Sequence, residues 1–220
     1  MTLILHLETA TKNCSVSIAR DGDRLALVEE RVDEYTHAEK LHRFIQYSLE
    51  CAAIDLVNLD AVCVSKGPGS YTGLRIGTSA AKGFCYSLGI PLLAIDTLTV
   101  MTQAVSTETG ILIPMIDARR KEVYTTTFDH HKKMLNPIIA KILDEHSFKE
   151  YSEQNIYLFG DGAIKAKDIL KIDFEYLPNI YPSSSAMVKL AEDLFNQKIF
   201  ENTAYFEPFY LKDFSTTRSN

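Results

Sequence analysis

The segment Lys66-Gly67-Pro68-Gly69-Ser70-Tyr71-Thr72-Gly73-Leu74-Arg75 concentrates more chemically suggestive residues than any other stretch of the sequence. Gly67 and Gly69 open backbone angles closed to other residues. Pro68 stiffens the turn, and Ser70 or Thr72 can cap the free N–H groups of a helix that starts there. A helix N-terminus is electropositive, so such a loop can cradle an anion; a tight strand-to-helix turn fits the same residues. It is not a Walker A loop, because no Gly-Lys-Ser/Thr follows at the required spacing. The helix beyond it carries Gly73, Gly77, Ala80, Ala81 and Gly83. Each glycine in a helix costs about 1 kcal/mol relative to alanine. Gly73, Gly77 and Ala80 or Ala81 share one face, which suits close approach of another backbone, either the chain's own or a partner's.

Other chemistry is thin. His37 and His42 are five residues apart, whereas two ligands on one helical face need a spacing of about three or four. No His-Glu-x-x-His or Gly-x-Ser-x-Gly sequence occurs, which disfavours a zinc peptidase or serine hydrolase of those types. Asp117 opens the turn Asp117-Ala118-Arg119-Arg120-Lys121-Glu122 and is expected to pair with an arginine or cap the turn rather than hold a metal. His6 reads as a satisfied core histidine, and His130-His131 as a solvated turn. Phe159-Gly160-Asp161-Gly162-Ala163 lies between a strand and a helix, where nucleotide-binding folds approach adenosine, but two glycines are a weak signal. Catalytic, cofactor and metal residues are all expected to be none.

Composition narrows the class further. Of 220 residues, 46% are hydrophobic, enough to bury a sizeable core, and the net charge is −6. Both halves carry a small acidic excess, with nine Lys/Arg against twelve Asp/Glu in residues 1–105 and fourteen against seventeen in 106–220. A protein that grips nucleic acid unaided concentrates positive charge. The four cysteines, Cys14, Cys51, Cys63 and Cys85, form no C-x-x-C pair and are expected to be buried thiols. His6 and Glu8 interrupt the first apolar run, which argues against a signal peptide. No run approaches the roughly 18 apolar residues of a membrane span. A cytoplasmic location is therefore expected.

The positioning elements follow from periodicity. Strands are expected at Thr2–Glu8, Cys14–Arg20 and Leu25–Glu30, with Asp21-Gly22-Asp23 as the hairpin turn. A helix begins at Thr36, where Thr36 and Glu39 make a capping box. A strand at Ala61–Ser65, a helix over Thr72–Leu88, a strand at Ile90–Ile95 and a helix at Thr97–Val105 follow. The second half repeats the order. Strands are expected at Ile111–Asp117, Glu122–Asp129, Ile138–Leu143 and Ile156–Phe159, with helices near Asp144–Ser152 and over Ser183–Phe200. Three antiparallel strands extended by strands on helical crossovers give a mixed sheet flanked by helices. The fold class is thus α/β, a duplicated ribonuclease-H-like fold of the actin-like ATPase superfamily. It has two lobes, 1–105 and 106–220.

The residues from Lys66 to Gly77 resemble the signature of the TsaB (YeaZ-like) family of tRNA threonylcarbamoyladenosine biosynthesis proteins. Leu5–Ala10 through Cys14-Ser15-Val16, Asp117–Tyr124 and Glu207–Lys212 agree in order and spacing, so the resemblance spans almost the whole chain. It implies a subunit without catalysis of its own. Such a subunit pairs with a TsaD-like catalytic paralogue and a TsaE-like ATPase, meets tRNA only through that complex, and has no membrane contact. It also implies that the first two long helices face the paralogue. The interface residues expected there are His37, Lys40, Leu41, Phe44, Tyr71, Leu74, Gly77, Thr78, Ala80, Ala81 and Phe84, with Gly67, Pro68, Gly69 and Gly73 as the structural turn. The same apolar helical face is expected to form a homodimer when the partner is absent. Glu8 stands where the family usually has Asp, Lys212 where Arg is common, and Thr9-Ala10-Thr11 lacks a glycine that would admit a phosphate. An independent ATPase or small-molecule kinase of the same superfamily is the alternative, and a metallopeptidase a more distant one.

Overall fold

The structure, a computed structural model, describes residues 1–33 and 36–211; Lys212, one of the residues carrying the resemblance, lies outside them. The first sheet starts with β1 (Leu3–Glu8), β2 (Asn13–Arg20) and β3 (Asp23–Arg31), which pair antiparallel in sequence. Asp21 and Gly22 turn the second hairpin with φ of 51° and 74°, the left-handed pair that a two-residue turn needs to match strand twist. The helix α1 (His37–Ala52) then leads to β4 (Ala61–Ser65), and α2 (Tyr71–Leu88) to β5 (Leu92–Ile95). Both new strands join parallel, giving the order β3-β2-β1-β4-β5.

The second sheet repeats this plan. It contains β6 (Ile111–Asp117), β7 (Glu122–Thr125), β8 (Phe128–Asp129), β9 (Ile139–Ile142), β10 (Ile156–Phe159) and β11 (Glu175–Leu177). Its path β9-β7-β6-β10-β11 has the same mixture of antiparallel and parallel neighbours, while β8 pairs with β6 off the main path. The duplicated ribonuclease-H-like order is therefore present twice in the topology.

Alternation along β1 explains how each face is covered. Leu5 and Leu7 point toward α1 and α2 and pack with Leu41, Ile45, Ala81 and Cys85. Ile4 points the other way, into a cluster with Met187 and Ala191. Ala191 belongs to α5 (Val188–Asn196), which follows a 3-10 turn at Ser184–Met187. Thus the last helix, read from sequence as closing the second repeat, lies on the first sheet. Conversely α3 (Thr97–Thr102) sends Leu98 and Met101 onto Leu112, Ile116, Phe128 and Phe159 of the second sheet. Each half covers a face of the other half's sheet.

Several expectations are corrected. Thr36 is the N-cap of α1, but no side-chain capping bond forms. Its φ of −105° and ψ of 13° are not the extended geometry a cap requires, and its carbonyl instead accepts the Glu39 and Lys40 N–H groups at 3.1 Å each. The helix expected near Asp144–Ser152 is only a 3-10 turn at Lys149–Tyr151. The Asp144 carboxylate takes the His146 N–H and the Ser147 hydroxyl, and Phe148 sits at φ 66°; this local side-chain bonding competes with a helix. Thr126 and Thr127 separate β7 from β8. A further short helix, α4 (Ala166–Ile169), follows β10. Cys51 is exposed, on the solvent side of the last turn of α1, while Cys14, Cys63 and Cys85 are buried. No helix among the described residues is long and apolar enough to cross a membrane.

Because the lobes share their covering helices, they should melt together. Leu98 is fully buried against the opposite sheet; Leu98→Ala should lower stability by about 2–5 kcal/mol in one urea transition. Two separate transitions in the wild-type chain would show that the exchange does not couple them.

Candidate functional site

The glycine-rich loop holds a piece of the chain itself. The Ser70 N–H donates to the Ala10 carbonyl at 2.7 Å, and a Cβ on Gly69 would overlap that same oxygen. Gly67 lies at φ 105°, and its carbonyl accepts the Thr97 N–H at 2.9 Å. The Gly67–Pro68 peptide is cis. Ser70 caps α2, its hydroxyl accepting the Gly73 N–H at 3.3 Å. The β1–β2 hairpin then runs along the helix. The Thr9 hydroxyl donates to the Gly73 carbonyl at 2.8 Å. A Cβ on Gly73 would overlap the Thr9 carbonyl, and one on Gly77 the Thr9 hydroxyl. His37 adds a third tie, donating from Nε2 to the Thr11 carbonyl at 2.6 Å. The small size of Gly69 and Gly73 seats the hairpin, whereas a Cβ on Gly67 would meet the Phe209 carbonyl and Leu74 instead.

The eleven expected interface residues separate accordingly. His37, Leu41, Leu74, Gly77, Thr78, Ala80 and Ala81 are buried within the chain, so they shape the helices from inside rather than presenting a surface. Lys40, Phe44, Tyr71 and Phe84 are half-buried. Lys40 pairs with Glu30. Tyr71 stacks with Tyr210 at 5.0 Å and lies 4.2 Å beneath the Arg75 guanidinium. Phe84 meets His42 at 6.1 Å between ring centres and, with His42, Ile45, Leu49, Ile54 and Leu56, lines an open groove of about 470 Å³ between the ends of α1 and α2.

The helical period locates faces but does not say which one is interior. On the outer face of α2, Ser79, Gly83 and Ser87 are exposed at successive four-residue steps, a line of small residues that sequence reading passed over. A Cβ added at Gly83 meets nothing within 4 Å. Unlike Gly73 and Gly77, this glycine answers no need inside the fold.

The second lobe resolves two further motifs. Asp117 pairs with Lys165 at 2.6 Å rather than with an arginine, and the same oxygen accepts the Arg119 N–H at 2.6 Å. Gly160, at φ 98°, and Gly162 lie against β6, where a Cβ would overlap the Met115 carbonyl or crowd the Ile116 backbone. Their smallness serves that packing. Among the described residues no group of three His, Cys, Asp or Glu side chains could hold a metal.

Residues 31–217 match the family model described as TsaD, tRNA N6-adenosine threonylcarbamoyltransferase. The chain belongs to the TsaD family. Within that family it is TsaB/YeaZ-like. It is 26% identical over 222 residues to the tRNA threonylcarbamoyladenosine biosynthesis protein TsaB of Haemophilus influenzae, covering 96% of this chain and 93% of that protein. It is 38% identical over 142 residues to the Bacillus subtilis protein of the same name, covering 62% and 59%. A Pseudomonas aeruginosa structure, described as an uncharacterized protein with similarity to peptidase YeaZ, superposes with a TM-score of 0.86 over 96% of this chain and all of its own, at 22% identity; that likeness concerns the fold.

In this TsaD-family chain the acid at the end of β1 is sealed. Glu8 is fully buried and accepts the Ala10 N–H at 2.6 Å. Burial drives its carboxyl up to about 7, against the opposing pull of the Ala10 N–H, the Ser65 hydroxyl and the Thr9 N–H. His6, two residues back on the same strand face, is also fully buried, with Nδ1 3.3 Å from the Ser17 carbonyl, and burial lowers it to about 4. The two titrations oppose one another. The Glu8 contribution is present below its ordinary value and is lost as pH rises to about 7. The His6 contribution is present above its ordinary value and is lost as pH falls to about 4.

Two outcomes follow. Glu8→Gln removes one side of this balance. Its stability relative to wild type, measured by urea unfolding, should rise by roughly 3 kcal/mol between pH 4.5 and 7.5; a constant difference would mean that Glu8 is ionised in the fold throughout. Gly77→Ala should destabilise the chain by about 1–3 kcal/mol through overpacking, and Thr9→Ala in the same chain should recover part of that loss. Additive losses in the double-mutant cycle would show that the two side chains are not in contact.

Proposed function

We propose that this chain is a non-catalytic subunit that binds and activates a TsaD-like threonylcarbamoyltransferase. In this reading it acts with a TsaE-like ATPase in forming N6-threonylcarbamoyladenosine next to the tRNA anticodon. The family match and the names of its relatives support a role in that modification. The first lobe, residues 1–105, carries the docking face, and the second, 106–220, completes the body that holds it. The assembly belongs in the cytoplasm, where tRNA is modified, and the same face joins two copies when the paralogue is absent.

The observation that carries the docking face is Gly83. A glycine on the exposed side of a helix costs about 1 kcal/mol relative to alanine, and here no neighbour of its own chain requires it. With Ser79 and Ser87 in line and the groove at His42 and Phe84 beside it, it lets a partner's backbone approach α2 closely. The ATPase alternative gains no support from the acid at the end of β1, since Glu8 is enclosed and bonded to Ala10.

The test separates folding from docking. Gly83→Ala should stabilise the isolated chain by about 0.5–1 kcal/mol. Gly83→Arg should remain folded yet weaken binding to the TsaD-like paralogue by at least about tenfold in calorimetry. Undiminished affinity in Gly83→Arg would remove this face from the interface.

A further inference from the structure

The β6–β7 turn combines three features that do not follow from folding needs. First, Arg119 and Arg120 both lie at positive φ, 72° and 49°, in a region that non-glycine residues seldom occupy and where asparagine or glycine would sit more easily. Second, the turn is braced from below. Asp117 accepts the Arg119 N–H and the Lys165 ammonium, Lys165 also donates to the Glu122 carbonyl, and the Asp117 N–H donates to Asp161 at 2.9 Å. The Ala118 and Glu122 backbones close the tip, Ala118 N–H to the Glu122 carbonyl and Glu122 N–H to the Arg119 carbonyl, at 3.1 Å each. Third, Arg119, Arg120 and Lys121 are exposed, and among the described residues none of their charged groups has an ion pair or hydrogen bond. By contrast Lys165, directly beneath, is wholly engaged in the brace.

Three adjacent unspent cations thus stand on a rigid tip of a chain whose net charge is −6. The sequence of the turn is poor for the turn itself, so the side chains rather than the backbone account for it. Guanidinium forks match phosphate oxygens two at a time, and a braced loop loses little freedom on gripping them. We propose that Arg119, Arg120 and Lys121 form a phosphate-gripping prong that holds the sugar-phosphate backbone of tRNA within the assembled complex. The proposal rests on the tRNA-modification reading above. It makes this chain a direct contributor to tRNA affinity rather than only a prop for its paralogue.

The experiment uses the full chain assembled with its TsaD-like paralogue and an unmodified tRNA transcript. Binding is titrated from low to moderate salt. Two double variants are compared with wild type: Arg119→Gln with Arg120→Gln, which removes charge, and Arg119→Asn with Arg120→Gly, which also improves the turn. Both should assemble normally but bind tRNA about tenfold more weakly at low salt, with the slope of log affinity against log salt shallower by about 1.5, as two lost phosphate contacts require. The second variant should melt at a higher temperature than wild type while binding tRNA worse, an outcome that a purely structural role for the arginines cannot produce. Wild-type affinity and slope in both variants would overturn the prong. Loss of assembly with the paralogue would overturn it as well, by assigning the turn to a protein partner. Failure of the wild-type complex to bind tRNA at any salt would instead strike the tRNA reading itself.

Discussion

The seat of Thr9 on the glycines of α2 is the contact on which the first lobe is organised. It fixes the β1–β2 hairpin against the helix at a separation that admits no side chain at Gly73 or Gly77. It also brings the Ala10 carbonyl under the Ser70 N–H. The Ser70 N–H, just ahead of α2, thereby serves the chain itself, and the loop clasps its own hairpin. The same hairpin geometry turns Glu8 inward and bonds it to Ala10. One packing decision both shapes the lobe and encloses the acid at the end of β1.

That clasp also leaves α2 with two unlike faces. Leu74, Gly77, Thr78 and Ala81 face inward, and Ser79, Gly83 and Ser87 face outward. Small residues occur on both faces for different reasons, and only the neighbours distinguish them. Gly77 has Thr9 against it, while Gly83 has nothing. The groove at His42 and Phe84 continues the outward face toward α1. The second lobe has its own contrast of this kind: Gly160 and Gly162 are small because β6 passes close by, whereas the arginines of the neighbouring turn occupy a conformation suited to smaller residues.

Much of this was legible in the sequence where local pattern decides the outcome. The bounds Ala61–Ser65 follow to the residue from an apolar run between turn signals, and α2 begins one residue before the expected Thr72 and ends at Leu88 as expected. The element order is enough to give the mixture of antiparallel and parallel strands in the first sheet, since handedness and short connections restrict the alternatives. The failures lie where local bonding or distant packing decides. Asp144 and Phe148 turned a helical pattern into a single 3-10 turn. Glu175–Leu177, three residues with a charged first member, gave no periodic signal and became a strand only because β10 lay beside it. Helical periodicity correctly gathered Gly73, Gly77 and Ala81 on one face, yet nothing along the chain says that Thr9, more than sixty residues away, would fill it. The exchange of α3 and α5 between sheets is likewise invisible to patterning, because an apolar helix face is the same whichever sheet receives it.

The placement of the final residues has a consequence for synthesis. Met187 and Ala191 cover one face of the first sheet, and Phe206 enters the core on the other. The Phe209 N–H then bonds to the Lys66 carbonyl at 2.7 Å, beside the clasp. As the chain is made, α1 and α2 can cover one face of β1 to β5 early, but the other face waits for α5, which follows the whole second sheet. That second face is therefore the late one, apolar and open to aggregation until α5 docks on it.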